Sequence, residues 1–428
     1  MTGRATNWAG NIVFGAGTVH RPATVDQLQG IVASHAKVRA LGSGHSFNEI
    51  ADSPGDLVSL AGLPPIVEVD TAAGTARVGG GVRYADVGPR LHESGFALHN
   101  LASLPHISIA GSCATATHGS GDGNGNLATA VSAMELVTAD GDIATLSRDK
   151  DGDVFRGSVV GLGALGIVVS LTLDLVPAFD VRQDVYEGLP FEVLDDHFDD
   201  IVSSAYSVSL FTDWRAPRFN HVWFKRRVDE SGVPATGATW PPVYDWFAAE
   251  PADGPRHPVP GMSPEHCTLQ QGVPGPWFER LPHFRPDFTP SSSGAEIQSE
   301  YLVPRRHAVE ALHALAGMRE RIAPVLHISE LRTIAADELW LSPAYHQDLV
   351  GFHFTWVKDA PRILTVLPAV ERALEPFGAV PHWGKLFTVP PETMRYQRLP
   401  DFRDLVRGYD PNGKFANDML RRYVLDPA

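Results

Sequence analysis

The stretch LGSGHSF, Leu41 to Phe47, places a histidine directly after two glycines spaced one residue apart. Gly42 and Gly44 can adopt φ > 0 and let backbone N–H groups converge on an anion, a concavity that side chains there would obstruct. The stretch reads as a loop for a ligand's phosphates. His45 then projects from it as a nucleophile, an acid/base or an ordinary turn residue. Short Gly-Ser-Gly turns are common, and alone this one would be read as a surface turn. A second Gly-rich stretch, AGSCATATHGSG from Ala110 to Gly121, shifts the balance, because two such loops suit a long ligand carrying two phosphates.

The flanking residues place the first loop on a rigid edge. Thr24 followed by Gln27 forms a capping box, and Val25, Leu28, Ile31 and Val32 share one face of the helix that follows. A strand over Lys37 to Leu41 then runs into the loop. Further on, Leu57 to Leu60, Ile66 to Asp70 and Thr75 to Val78 read as strands, and Gly79 to Gly81 break the pattern. A helix is expected from Tyr84 to about Glu93, stopped by Gly95. Asp140-Gly141 between Val131–Ala139 and Asp142–Leu146 signals a hairpin. Ile167 to Leu175 reads as a buried strand. Short mixed strands with few helices indicate an α+β architecture.

Two nucleotide-like strings fail on context. Gly161, Gly163 and Gly166 spell GxGxxG, but the β-branched IVVSLTLDL follows where the dinucleotide fingerprint needs a helix. Gly408 to Lys414 spells GxxxxGK, but Phe415 stands where a P-loop needs Ser or Thr, and DPNG at Asp410 to Gly413 is a turn.

With 428 residues the chain can bury two cores. No apolar run is long enough to span a bilayer, and the first residues, MTGRATNWAGN, lack the apolar stretch of a signal peptide. Only Cys113 and Cys267 are present, so a disulfide framework is not expected and a cytoplasmic location is the default. The net charge of −15 disfavours nucleic acid and anionic membranes as partners. No metal site is expected.

From about Phe179 the character changes. Tyr206 to Asp213 alternates as a strand, Pro234 to Pro274 reads as long irregular loops, and helices return over His307 to Glu320 and Pro361 to Phe377, where Pro368 should start or kink the second. In HISELRT, Glu330 and Arg332 share a face; in GFHFTW, His353 and Thr355 do likewise, with Leu331, Phe354 and Trp356 pointing the other way. That polar face is either solvated or the wall of a site for a polar ligand. Periodicity alone favours the solvated face.

LGSGHSFNEI, SLPHISIAGSCATATHGSG and GLGALGIV together resemble the flavin-binding domain of the vanillyl-alcohol oxidase family. Within it, the chain is similar to the bacterial alditol oxidases, from Asn7-Trp8 to DPNGKFAN at Asp410 to Asn417. The resemblance implies a two-domain α+β flavoprotein with an FAD-binding domain over 1–178, a mixed-sheet substrate domain over 179–380, and a segment 381–428 returning to the first. It implies FAD, bound covalently through His45. Ala40, Leu41, Gly42, Ser43, Gly44 and Ser46 would contact the cofactor, with Ser103, Ser108, Gly111, Thr115, Ala116, Thr117, His118, Ile167 and His382. It also places Ser103, Glu330, Arg332, His353, Thr355 and Lys385 around a polyol. Arg332 and Lys385 would act at the reacting hydroxyl. Cys113 stands where the family pattern suggests a larger apolar residue, and reads as a small buried thiol.

The implied function is oxidation of the terminal hydroxyl of an alditol such as xylitol or sorbitol to the aldose, with O₂ reduced to H₂O₂. The partners would be a small polyol and O₂. A related oxidase or dehydrogenase acting on sugar lactones is the alternative, and a redox-inactive binding protein with the same fold is the alternative from another class.

Overall fold

The computed structural model describes residues 4–228, 247–288 and 294–426. Thr24 caps the helix Val25–Ser34 by accepting the Gln27 N–H, and Gln27 Oε1 accepts the N–H of Ala23, so the capping box forms one residue wider than its simplest version. Leu28 and Val32 on its inner face are buried against Val38, Val58 and Phe415. Beneath lies a three-stranded parallel sheet in the order Val19–His20, Asp56–Ser59, Val38–Leu41, whose last strand delivers the chain into LGSGHSF.

A five-stranded antiparallel sheet follows in the order Val67–Asp70, Thr75–Gly79, Ile167–Asp174, Val131–Val137, Ile143–Ser147. The Asp140-Gly141 hairpin forms as its sequence signals, with Gly141 at φ 89°. The helix Tyr84–Glu93 is present, and Gly95 takes φ 82° just beyond it.

Phe96–Ala97 and Val176–Pro177 pair as a two-stranded sheet, and among the described residues every strand of the nine-stranded sheet lies between Asp180 and Pro381. Its centre runs Asp180–Glu187, His221–Val228, Ser207–Thr212, Leu326–Ile334, Leu349–Val357, Glu296–Pro304, all antiparallel. The helices Ala308–Ala316 and Ala360–Leu374 pack on one another and on its Glu296–Pro304 strand. The residues after 410 return to the first sheet: Val38 N–H donates to Lys414 O, and Asn417 Nδ2 to Glu49 O and Asp52 O.

Several local expectations are corrected. The second Gly-rich stretch is not all loop, because Ile109–Ala114 winds into a short helix. The helix near residue 310 is two pieces, Ala308–Ala316 and Arg319–Ile322, interrupted at Gly317 and Met318. Pro368 does not start its helix, which begins at Ala360 and runs through it to Leu374. The loop expectation over Pro234 to Pro274 falls partly on residues 234–246, outside the described residues. Both nucleotide-like strings are refuted as fingerprints. Gly166 leads into a strand, and Asp410 accepts the N–H groups of Lys414 and Phe415 in a tight turn that buries the Phe415 ring.

Candidate active site

A cavity of about 1350 Å³ lies between the Gly-rich loops and the polar face of the nine-stranded sheet. Gly44 takes φ 71°. A Cβ on Gly42 would stand 2.5 Å from Ser108 Oγ, so glycine is what lets the first loop lie against the second. Ser108 N–H donates to Ser43 Oγ at 3.1 Å and ties the two loops. The glycines at 79–81 add a third wall, where a Cβ on Gly80 would stand 2.2 Å from Val168 O.

His45 stacks on Trp8 with ring centroids 5.0 Å apart and 18° between planes. Its Nδ1 donates to Ser43 O at 3.1 Å, and Nε2 is buried with no hydrogen-bond partner among the described residues. Burial pushes the imidazole down to about 4, so at neutral pH the ring is uncharged and nucleophilic. An unpartnered buried nitrogen, two stitched glycine loops and this volume fit a dinucleotide-sized cofactor.

The residues expected at the cofactor largely converge. Ala40 to Ser46, Ser103, Ser108, Gly111, Thr115, Thr117, His118 and His382 all line the cavity. Ala116 and Ile167 do not: both side chains are buried in hydrophobic clusters, 4% and 0% exposed, so only their main chain could face a ligand. Cys113 is a buried free thiol beside Tyr84, and burial pushes it up to about 12, too high for a reactive thiolate.

The solvated-face expectation for the sheet is overturned. Glu330, Arg332, His353 and Thr355 are all under 10% exposed and line the cavity with Lys385. Register explains the clustering. Glu330 pairs with His353 and His353 with Glu300, forming a row across three adjacent strands. Arg332 lies opposite Gly351, which has no side chain to fill the space, so the guanidinium reaches Glu300 Oε1 at 2.7 Å. A Cβ on Gly351 would come within 3.1 Å of that same oxygen.

Glu300 was not expected at the site, yet it is its hub. It receives Arg332, lies 3.2 Å from His118 Nε2 and 3.5 Å from His353 Nδ1, and is 2% exposed. Burial alone would raise its pKa; the positive field of His118 and Arg332 outweighs burial and holds it well below the usual carboxylate range. Glu330 is likewise held low against burial, by Arg332 and His283. Lys385 donates to Gln298 Oε1, and burial brings it down to about 8 despite Glu300. His353 is lowered, first by burial and then by Lys385. Two carboxylates thus face two cations across the wall of the cavity.

Behind Glu330 a second buried chain fixes its role. Lys225 Nζ donates to Leu281 O, Pro282 O and His283 Nδ1. Glu330 is held ionised and a carboxylate only accepts, so the His283 proton is on Nε2, pointing at Glu330 Oε1 2.7 Å away; burial brings His283 down to about 4, so the ring is neutral and its Nδ1 accepts from Lys225. Arg39, also unexpected, is 3% exposed and donates to Ile50 O at 2.7 Å, Leu162 O at 2.9 Å and Phe415 O. It braces the first loop. The glycines at 161, 163 and 166 line the cavity after all, as a loop rather than a helix N-terminus.

Comparison with known proteins agrees with this geometry. Residues 16–147 match the family described as FAD binding domain, and residues 292–423 match D-arabinono-1,4-lactone oxidase. The chain is 53% identical over 426 residues to the alditol oxidase of Streptomyces sp. (strain IKD472 / FERM P-14339), covering 98% of this chain and 99% of that one. The chain belongs to the alditol oxidase branch of the vanillyl-alcohol oxidase family. It is a flavin-dependent oxidoreductase with the two-domain α+β architecture of that family, and its cofactor is FAD. This alditol oxidase family member is also 30% identical over 453 residues to L-gulono-1,4-lactone dehydrogenase of Mycobacterium tuberculosis, with 99% of each chain covered. Cholesterol oxidase from B. sterolicum superposes with a TM-score of 0.76 at 14% identity, over 99% of this chain and 96% of that one, which shows a shared fold. No helix among the described residues is long and apolar enough to cross a membrane.

Proposed function

We propose that the protein oxidises the terminal primary hydroxyl of an alditol, of the xylitol and sorbitol type, to the aldose, with O₂ reduced to H₂O₂. The polar wall carries this reading: buried Glu330, Arg332, His353 and Thr355, with partly buried Ser103 and Lys385 beside them, offer donors and acceptors to a chain of hydroxyls, and such groups are costly to bury without a polar ligand. Bound FAD supplies the acceptor for the hydride leaving carbon. As the hydroxyl also loses its proton, negative charge develops on oxygen, and Arg332 and Lys385 are the cations placed to stabilise it. Glu330, with His283 donating to it, is a fixed acceptor for a neighbouring hydroxyl. Ser103 Oγ, 3.3 Å from Arg332 Nη1, joins the same wall. This reading is drawn with an FAD-binding part over 1–178, a substrate part over 179–380 and a returning segment over 381–428.

The test is turnover of xylitol and sorbitol by purified protein in an oxygen electrode, with H₂O₂ measured alongside. Aldose and peroxide should form in equal amounts. The lactone reading retains one supporting observation, the D-arabinono-1,4-lactone oxidase match over 292–423. Much faster turnover of L-gulono-1,4-lactone or D-arabinono-1,4-lactone than of any polyol would replace the polyol reading with it.

We also infer that His45 carries FAD covalently, since it presents a neutral, unpartnered nitrogen in the cofactor cavity. Acid precipitation of the native protein should give a yellow pellet, and His45→Ala a colourless pellet with free flavin in the supernatant. A yellow His45→Ala pellet would place the bond on another residue, His118 first.

A further inference from the structure

Outside the cavity lining, three residues separated in sequence meet at the edge of the parallel sheet. His20 ends the strand Val19–His20, His35 follows the helix Val25–Ser34, and Asp56 opens the strand Asp56–Ser59. His20 Nε2 lies 2.8 Å and His35 Nε2 3.2 Å from the same oxygen, Asp56 Oδ2, and all three atoms fall within 4.8 Å of one another. The side chains are 25%, 31% and 20% exposed, so solvent can complete a coordination shell.

The other ends of two of these groups are already committed. Asp56 Oδ1 accepts the Thr18 N–H at 3.0 Å, leaving Oδ2 turned to the histidines. His35 Nδ1 lies 2.7 Å from Ile31 O, and a carbonyl only accepts, so the ring proton is on Nδ1. Ser34 Oγ, 3.1 Å from that nitrogen, gives its own proton to Gly30 O. A neutral His35 therefore aims its Nε2 lone pair at a carboxylate oxygen. Two acceptors 3.2 Å apart repel unless a cation lies between them, either a second ring proton or a metal ion. A backbone carbonyl holding the far nitrogen is also how metal-binding imidazoles are oriented.

We propose that His20, His35 and Asp56 bind a borderline divalent cation of the Zn²⁺ class, with water as the remaining ligand. Two imidazoles and a carboxylate suit such an ion, and tetrahedral ligands at about 2.0–2.2 Å sit about 3.3 Å from one another; the 3.2 Å from His35 to Asp56 matches this, and the 2.8 Å from His20 to Asp56 opens by a few tenths of an ångström when the ion enters. The ion would cross-link the first strand, the end of the first helix and the second sheet strand. The buried trio His118, Glu300 and His382 is the poorer candidate, because the Arg332 guanidinium already occupies Glu300 Oε1 at 2.7 Å.

The test is calorimetric titration of tag-free, flavin-loaded protein with Zn²⁺ alone. One ion per chain should bind saturably and raise the melting temperature. His35→Gln and Asp56→Asn should each weaken binding by about tenfold or more while retaining flavin content and turnover. Unchanged affinity in both variants, or no saturable uptake up to about 1 mM Zn²⁺, would overturn the proposal and leave a proton-bridged cluster. Wild-type protein keeps the question decidable if a variant fails to fold: one equivalent of Cu²⁺ should show nitrogen hyperfine splitting from two imidazoles, and splitting from fewer would likewise overturn it.

Discussion

Replacing Lys385 with methionine is expected to slow reduction of the flavin by saturating polyol by roughly a hundred- to a thousand-fold, the usual effect of removing one preorganised donor at a developing oxyanion. Methionine keeps much of the length and removes the charge. The loss should therefore appear in the anaerobic reduction rate and not in the polyol concentration needed for saturation. Thr355→Val, which removes one hydroxyl from the wall, should do the reverse: it should raise that concentration and change the saturating rate little. The pH profile gives a second sign. The charged ammonium is the stabilising form and burial brings it to about 8, so the wild-type reduction rate should be full below that pH and fall as pH rises through it. The limb should be missing from Lys385→Met. A variant reduced at the wild-type rate would remove Lys385 from the chemical step and leave Arg332 as the principal cation.

Glu300→Gln should be the most destabilising single-atom change in the site. The carboxylate is the shared partner of Arg332 and of His118, all nearly inaccessible to solvent. Breaking one member of a buried ion pair leaves the other charge uncompensated, typically at a cost of about 3–5 kcal/mol. A glutamine keeps the shape and one acceptor, so the chain should still fold, with a clearly lower denaturation midpoint. Arg332 would lose its anchor, and flavin reduction should slow as well. If Glu300→Gln melted with the wild type, the guanidinium would have to be held by Glu330 alone, 3.6 Å from its Nε.

The difference between what the sequence disclosed and what it concealed follows from the range of the interactions involved. The helix cap at Thr24, the hairpin at Asp140-Gly141 and the loop at Gly42 to Gly44 depend on neighbours a few residues away, and all three are present, although Gln27 reaches back to Ala23 N–H and only Gly44 takes positive φ, Gly42 serving the close approach to Ser108. The cofactor loops were therefore visible. Alternation correctly put Glu330 with Arg332 and His353 with Thr355 on common faces, but period two cannot say whether a face meets water or a cavity. That depends on loops more than two hundred positions away, as the contact between Ser103 and Arg332 shows. Glu300 was missed although the same signal was present: Glu296, Gln298 and Glu300 alternate in EIQSEYL as the other polar residues do. Arg39 offered no signal, since its role exists only where three distant carbonyls converge. His20, His35 and Asp56 were hidden for the same reason.

The brace on the first loop also has a consequence in time. Val38 N–H donates to Lys414 O, and Arg39 closes on Phe415 O, 376 positions downstream. During synthesis the glycine loop and His45 emerge early, while the carbonyls of residues 414 and 415 emerge only after the five- and nine-stranded sheets have been translated. The first loop therefore reaches its braced form only once residues 414 and 415 are available. A ribosome stalled anywhere before Phe415 would display an unbraced loop.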